Sequence, residues 1–315
     1  MTARDPEDVL WDLLRGALGT RALALVAELR VAEALADGPR PVTDLARELD
    51  ADPETLRRLL RALATEGVFA EEAPGVFRNT EASGLLANGE GPFAHLFGST
   101  WLQATAALDP SGRASFPRVF GAGFWAWLAE NPAERAAFDH AMEQGNDRRV
   151  KRLGSVAWRG DETVVDVGGG NGSLLTGLLS CRPGLRGIVF DLPETTRDET
   201  ALGERCTFVA GSFFERVPEG DVYVLSTILH DWNDVDAARI LGTIRAHASA
   251  GARLLVLDAV VPDGNKPHWA KWLDLLVLAL FEGRERDEAQ WRALLAAGGF
   301  EPVSIADGLI EARCR

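Results

Sequence analysis

The chain has 315 residues, 46% apolar and 25% charged, which suits a large buried core and fits two domains better than one. A net charge of −14, with lysine at only three of the 33 basic positions, opposes nonspecific binding to nucleic acid, because neutralising phosphates takes clustered cations. Cys181, Cys206 and Cys314 lack metal-ligand spacing, no apolar run reaches membrane-spanning length, and Met1 to Asp8 show no signal-peptide pattern, so a cytoplasmic protein with no metal and no membrane partner is expected.

Residues 9–36 carry helical apolar periodicity, from Leu10, Leu13, Leu14 and Leu18 to Val31 and Leu35, and Gly38-Pro39 stops the pattern. A short helix follows from Val42 with Thr43 as its expected cap, and Asp52-Pro53 opens another that carries Leu56, Leu59, Leu60 and Leu63 to Gly67. Segments 68–70 and 75–78 then bracket a turn, giving a helix-turn-helix with a wing hairpin. Such a domain invites a DNA-binding reading through Arg57, Arg58 and Arg61. However, Glu54, Glu66, Glu71 and Glu72 accompany these arginines, which favours a solvated or dimer-facing helix. Residues 84–145 are mostly helical and rich in aromatics, Trp127 and Phe138 among them, which suits either an ordinary core or an apolar ligand cleft. From Gly160-Asp161 onward strand and helix patterns alternate, as in a doubly wound α/β sheet.

The second half opens on Val164-Val165-Asp166-Val167-Gly168-Gly169-Gly170-Asn171-Gly172-Ser173, an apolar strand running through a glycine-rich turn into a helix. The glycines fit G-x-G-x-G, whereas the dinucleotide fingerprint needs Gly or Ala where Ser173 stands. No lysine lies between Lys151 and Lys266, which excludes a P-loop here. Bare backbone and a helix N-terminus together receive a carboxylate well, and S-adenosylmethionine (SAM) carries one. The next strand ends in Asp191-Leu192-Pro193, placing a carboxylate 23 residues after Gly168, where ribose hydroxyls are bound in Rossmann-like folds.

Strand Asp221–Leu225 leads to Leu229-His230-Asp231-Trp232, so His230 falls at the carboxyl end of a strand, where ligands of open α/β sheets sit. An imidazole with an ordinary pKa of about 6.5 can take a proton from a reacting hydroxyl near neutrality. Asp258, at the end of the following strand, and Glu285 are each placed to hold its second ring nitrogen.

In this order the glycine loop, Asp191-Leu192-Pro193, Leu229-His230-Asp231-Trp232 and Arg284-Glu285-Arg286 resemble the SAM-dependent O-methyltransferases of the plant caffeate type, and among them the actinobacterial enzymes of polyketide and anthracycline-like natural products. The resemblance covers nearly the whole chain. It implies a winged-helix dimerisation domain at 1–90, a helical linker and substrate-pocket region at 91–158, and a Rossmann-like SAM-binding domain at 159–315, assembled as a homodimer. It implies that Asp166, Gly168, Gly170, Gly172, Asp191, Leu192, Gly211, Ser212, Phe213 and Ser226 surround SAM, with Ser212 and Phe213 beside the adenine. His230 would deprotonate the acceptor, oriented by Asp258 and Glu285, while Trp127, Phe138, Met142, Asn146, Trp232 and Asp274 would line the acceptor pocket. Serine stands at 212 and 226 where plant members have aspartate and lysine, and Asp258 where they have glutamate. The expected reaction is methyl transfer to a phenolic hydroxyl of an aromatic natural product, leaving S-adenosylhomocysteine. Two other readings are the same scaffold turned to hydroxylation, decarboxylation or pericyclic chemistry, and a SAM-responsive DNA regulator.

Overall fold

The structure is a computed structural model that describes residues 5–193, 195, 203–249, 251–306 and 308–314. The chain divides into two compact units, Met1–Ala106 with Asn131–Gln144, and Ala107–Glu130 with Gly145–Arg315. Residues 91–158 therefore do not pack as one body, because segments 107–130 and 145–158 belong to the second unit.

In the first unit, Asp5 caps a helix over Pro6–Glu28. Its early apolar residues Leu10, Trp11, Leu13, Leu14 and Leu18 are exposed, and only its last turns bury Ala22, Ala24 and Val26. The apolar periodicity of 9–36 is not one helix. Arg30 adopts a left-handed conformation (φ 57°) that breaks it, and a separate turn runs over Val31–Ala34. The helix Val42–Glu48 starts directly after Pro41 with no side-chain cap, which corrects the cap expected at Thr43. The helix Pro53–Thr65 is capped by Asp52, whose carboxylate accepts from the Thr55 N–H at 2.7 Å. Strands β1 (Arg40–Pro41), β2 (Phe69–Ala73) and β3 (Val76–Asn79) pair antiparallel in the order β1-β3-β2, completing a winged helix. Arg57 and Arg58 of the second helix both pair with Glu54. Elsewhere in this unit His95 bridges Glu28 at 3.0 Å and Glu134 at 2.9 Å, tying three helices together.

The second unit is an α/β sheet of seven strands: β4 (Thr163–Val167), β5 (Arg186–Asp191), β6 (Cys206–Ala210), β7 (Val222–Ser226), β8 (Arg253–Leu257), β9 (Phe300–Ala306) and β10 (Leu309–Cys314). Their order is β6-β5-β4-β7-β8-β10-β9, parallel except for β10, which runs antiparallel to β8 and β9. Side-chain alternation divides the core. Val165, Val167, Tyr223, Leu225, Leu254 and Val256 pack on one face with Ile240, Leu241, Trp291 and Leu294, and Val164, Val222, Val224, Leu255 and Leu257 pack on the other with Leu174, Leu175, Leu178 and Leu179. The chain winds outward from β4 in opposite directions, through β5 and β6 on one side and β7 and β8 on the other. The crevice for a ligand therefore opens beyond the carboxyl ends of β4 and β7. Among the described residues, no helix is long and apolar enough to cross a membrane.

Candidate active site

β4 delivers the glycine loop to that crevice. Gly168 has φ 74°, and a Cβ on it would lie 2.5 Å from Ile228 Cδ1, so only glycine lets the loop pass under the chain leaving β7. The Gly168 N–H donates to the Phe190 carbonyl at 2.8 Å, and the Gly170 N–H to Asp191 Oδ2 at 2.7 Å. Gly172 forms the left-handed entry to the helix Ser173–Cys181. Asp191 is committed to this loop. Its other oxygen accepts from the Leu192 N–H at 2.6 Å and the Thr195 hydroxyl at 2.7 Å. Leu192 itself is exposed.

Alternation along β4 turns Asp166 to the same side as Val164, beneath the glycine loop. It is buried, and its Oδ2 has no hydrogen-bond partner among the described residues. Burial, reinforced by the nearby Asp191 carboxylate, pushes its carboxyl up to about 7. The Arg149 guanidinium acts on Asp166 from the helix Asn146–Gly154, and burial pulls its own pKa down. Asn146 lies here too, accepting from Arg149 at 2.7 Å and donating to Ser173 Oγ at 2.8 Å, so it braces the start of the glycine-loop helix. Sequence reasoning had not singled out Arg149. The one signal was a basic cluster, Arg148-Arg149 and Lys151-Arg152, of which Arg148, Lys151 and Arg152 are exposed.

On the adjacent side, Gly211 packs its Cα against the Phe190 ring, with its N–H on the Asp191 carbonyl at 2.9 Å. Ser212 accepts from the Phe214 N–H at 3.3 Å. Trp232, expected in the acceptor pocket, meets Phe213 and Phe214 edge-on, with centroids 5.8 and 4.8 Å apart, and so packs against Phe213, one of the residues expected beside the adenine. Ser226 closes β7, and Thr227 beyond it is left-handed (φ 55°), turning the chain into the 3-10 turn Leu229–Asp231.

This turn aims His230 at Glu285. Its Nδ1 lies 2.7 Å from Glu285 Oε1; a carboxylate can only accept, so Nδ1 carries the hydrogen. Nε2 has Asp231 Oδ1 at 3.3 Å. Burial alone would drive the imidazole pKa down, but the carboxylates of Asp231, Asp258 and Glu285 outweigh it and hold the pKa at about 10. Burial raises Asp231 and Asp258 to about 7. Of the two carboxylates expected to orient His230, Glu285 makes the hydrogen bond. Asp258 makes none to it, and both Asp258 oxygens lie buried without a hydrogen-bond partner among the described residues. Asp274 accepts the Glu285 N–H at 2.7 Å and thereby helps to place it.

Trp127 packs with Phe116 and Phe120 at 5.5 and 5.0 Å, inside an aromatic group that continues through Phe124 and Trp125 to Phe281. Phe138 and Met142 lie half-buried in the first unit. Among the described residues no group of three or more His, Cys, Asp or Glu is arranged to hold a metal ion.

A glycine cradle at the sheet's switch point beside a buried histidine–carboxylate pair suits a nucleoside-like ligand and proton transfer. Residues 101–301 match an O-methyltransferase domain and residues 11–89 an O-methyltransferase dimerisation domain. The chain belongs to the O-methyltransferase family. It is 38% identical to the O-demethylpuromycin-O-methyltransferase of Streptomyces alboniger, over 93% of this chain and 83% of that one. The crystal structure of LaPhzM superposes with a TM-score of 0.91 at 33% identity, covering 99% of this chain and 100% of that one. NcsB1 from neocarzinostatin biosynthesis, in complex with S-adenosylhomocysteine and 1,4-dihydroxy-2-naphthoic acid, superposes with a TM-score of 0.80 at 31% identity, covering 94% and 95%. The methyltransferase is SAM-dependent, and its crevice suits that cofactor chemically. Asp166 offers a buried carboxylate oxygen without a hydrogen-bond partner among the described residues, Arg149 a half-buried cation, and the glycines a backbone surface that a Cβ would fill.

Proposed function

We propose that the protein methylates a phenolic hydroxyl of a planar aromatic natural product, with His230 as general base. The observation that carries this reading is the 2.7 Å contact between His230 Nδ1 and the fully buried Glu285, at the strand end next to the glycine loop. A phenol, with a pKa of about 10, is a poor nucleophile at neutral pH until its proton is removed. When bound, SAM supplies the methyl group, which passes from sulfur to the acceptor oxygen and leaves S-adenosylhomocysteine. His230 Nε2 receives the phenolic proton, and Glu285 keeps the other nitrogen protonated and stabilises the imidazolium that forms. Carboxylates hold that imidazolium at about 10, close to the phenol, so the neutral imidazole that can receive the proton is a minor form near neutrality and grows as pH rises toward 10.

Around the cofactor, Asp166 pairs with the ammonium of the methionine end. Arg149, tied through Asn146 to the N-terminus of the helix Ser173–Cys181, receives its carboxylate. Asp191 has lone pairs beyond those used by its own loop, and these accept the ribose hydroxyls. Trp127 and its aromatic neighbours give an apolar group suited to a fused-ring acceptor. Homodimerisation through the first unit is supported by the matched dimerisation domain and by the exposed Leu10, Trp11, Leu13, Leu14 and Leu18.

The test is incubation with isotope-labelled SAM and a panel of simple and polycyclic phenols and arylamines, following S-adenosylhomocysteine and product mass together. Label on a phenolic oxygen supports the reading. Label confined to nitrogen, or an unmethylated altered product, overturns it.

A further inference from the structure

The His230 turn and the Glu285 segment meet through a residue that the reaction does not use. Arg286 is 0% exposed, and its guanidinium donates from Nη1 to the Leu229 carbonyl and from Nη2 to the Trp232 carbonyl, both at 2.8 Å, and from Nε to Asp234 Oδ1 at 2.9 Å. It lies 5.4 Å from the Trp291 ring centroid, and the Val261 N–H fixes its carbonyl at 2.9 Å. Next to it the Arg284 N–H donates to the His230 carbonyl at 2.8 Å, and Arg284 pairs with the other oxygen of Asp234 at 2.7 Å. Gly283 presses so closely on the turn that a Cβ there would lie 2.2 Å from the His230 carbonyl oxygen.

We propose that Arg286 is a positioning residue for the proton transfer, its buried fork locking the turn that carries His230 to the segment that carries Glu285. A buried guanidinium is costly unless its donors are met, and here the acceptors are carbonyls on either side of His230. Three donors in a fixed plane hold three acceptors in one geometry; a lysine, as a point charge, cannot. Glu285 is the residue before Arg286, so the same side chain sets both partners of the 2.7 Å contact.

This inference rests on the general-base reading of His230, and the experiment separates the two. Arg286→Lys and Asp234→Ala are made in the full chain beside His230→Ala, with S-adenosylhomocysteine binding measured by calorimetry, kcat followed across pH, and the His230 ring recorded by 15N NMR. The expected result for Arg286→Lys is a kcat lower by roughly 10²-fold, as misplacement of about 1 Å produces, with S-adenosylhomocysteine affinity unchanged. The acidic limb of the pH profile moves toward neutrality as the ring loosens from Glu285 among its facing carboxylates Asp231, Asp258 and Glu285, and the downfield Nδ1–H signal weakens. Asp234 is half exposed, so Asp234→Ala folds even where Arg286→Lys does not, and it shows a smaller change in the same direction. An unchanged limb and Nδ1–H signal in either folded variant overturns the proposal, as does loss of turnover only in parallel with loss of binding. Wild-type turnover in His230→Ala shows instead that the base reading has failed, and the proposal falls with it.

Discussion

His230 and Glu285 stand 55 residues apart in sequence and 2.7 Å apart in space, with the glutamate side chain fully buried behind the ring. The pair fixes the orientation of the ring, with hydrogen on Nδ1 toward Glu285 and Nε2 on the side of Asp231, and in the neutral ring it sets the tautomer as a triad carboxylate does for its histidine.

His230→Ala should therefore abolish most turnover while leaving the cofactor site intact. The expected loss in kcat is about 10²–10⁴-fold, the usual worth of a positioned base. S-adenosylhomocysteine affinity measured in parallel stays at the wild-type value, and equal turnover by the variant would remove His230 from its role.

Glu285→Gln and Asp258→Asn separate orientation from charge. Each removes an anion that raises the imidazole pKa, so the acidic limb of the rate profile, set near 10 by His230 in the free protein, moves to lower pH in both. Only Glu285→Gln also replaces the charged acceptor that orients the ring by a neutral amide, which holds Nδ1–H more weakly and can present its NH2 instead, so its kcat at the pH optimum drops further. Profiles of kcat/KM against pH for the three proteins report the shift in the free protein, and kcat at the optimum reports the loss of orientation.

Cofactor affinity should depend on pH through Asp166. Its carboxyl titrates at about 7 in the free protein, and an ammonium ligand pairs only with the ionised form. Affinity for S-adenosylhomocysteine is expected to fall as pH drops below about 7 and to level off above it. In Asp166→Asn binding is weaker and the dependence in that range is lost; a dependence that survives in calorimetry of the variant would place the ammonium elsewhere.

At Gly168 both backbone and space resist a side chain. Alanine would occupy a left-handed conformation at a cost of about 1–3 kcal/mol and would collide with Ile228. Gly168→Ala is expected to lower the melting temperature and weaken S-adenosylhomocysteine binding together. Retention of both would show that the loop relaxes freely.

His95 gives the first unit its own pH response. Burial opposes its charged form, but hydrogen bonds and attraction from Glu134 and Glu28 prevail and raise its pKa above the ordinary 6.5. Its contribution to stability is thus complete below about 6.5 and lost as pH rises through the higher folded-state value. The melting-temperature gap between the wild type and His95→Gln is expected to be largest near pH 6 and to close at alkaline pH; a constant gap would contradict this.

Much of the second unit was legible in the sequence because its signals are local. Alternating apolar residues in β4 run straight into Gly168, Gly170 and Gly172, and the same logic placed Asp191 and His230 at strand ends, where the parallel order of β5, β4 and β7 sets them around one crevice. The break at Arg30 was hidden because apolar spacing continues across it, and spacing records which face is buried, not whether the axis is continuous.

The sequence by itself determined the fold class, the glycine loop and the place of the histidine at a strand end, since each depends on residue types within a few positions of one another. Only the tertiary structure decided which charges meet. Glu285 rather than Asp258 bonds to His230, Asn146 and Arg149 gather at the glycine loop, Asp274 holds the Glu285 backbone, and Arg286 closes on the turn from 229 to 232. Charge pairing of this kind depends on ångström distances between segments distant in the chain. Burial then determines how strongly each group's proton is held, and no spacing along the sequence encodes either quantity.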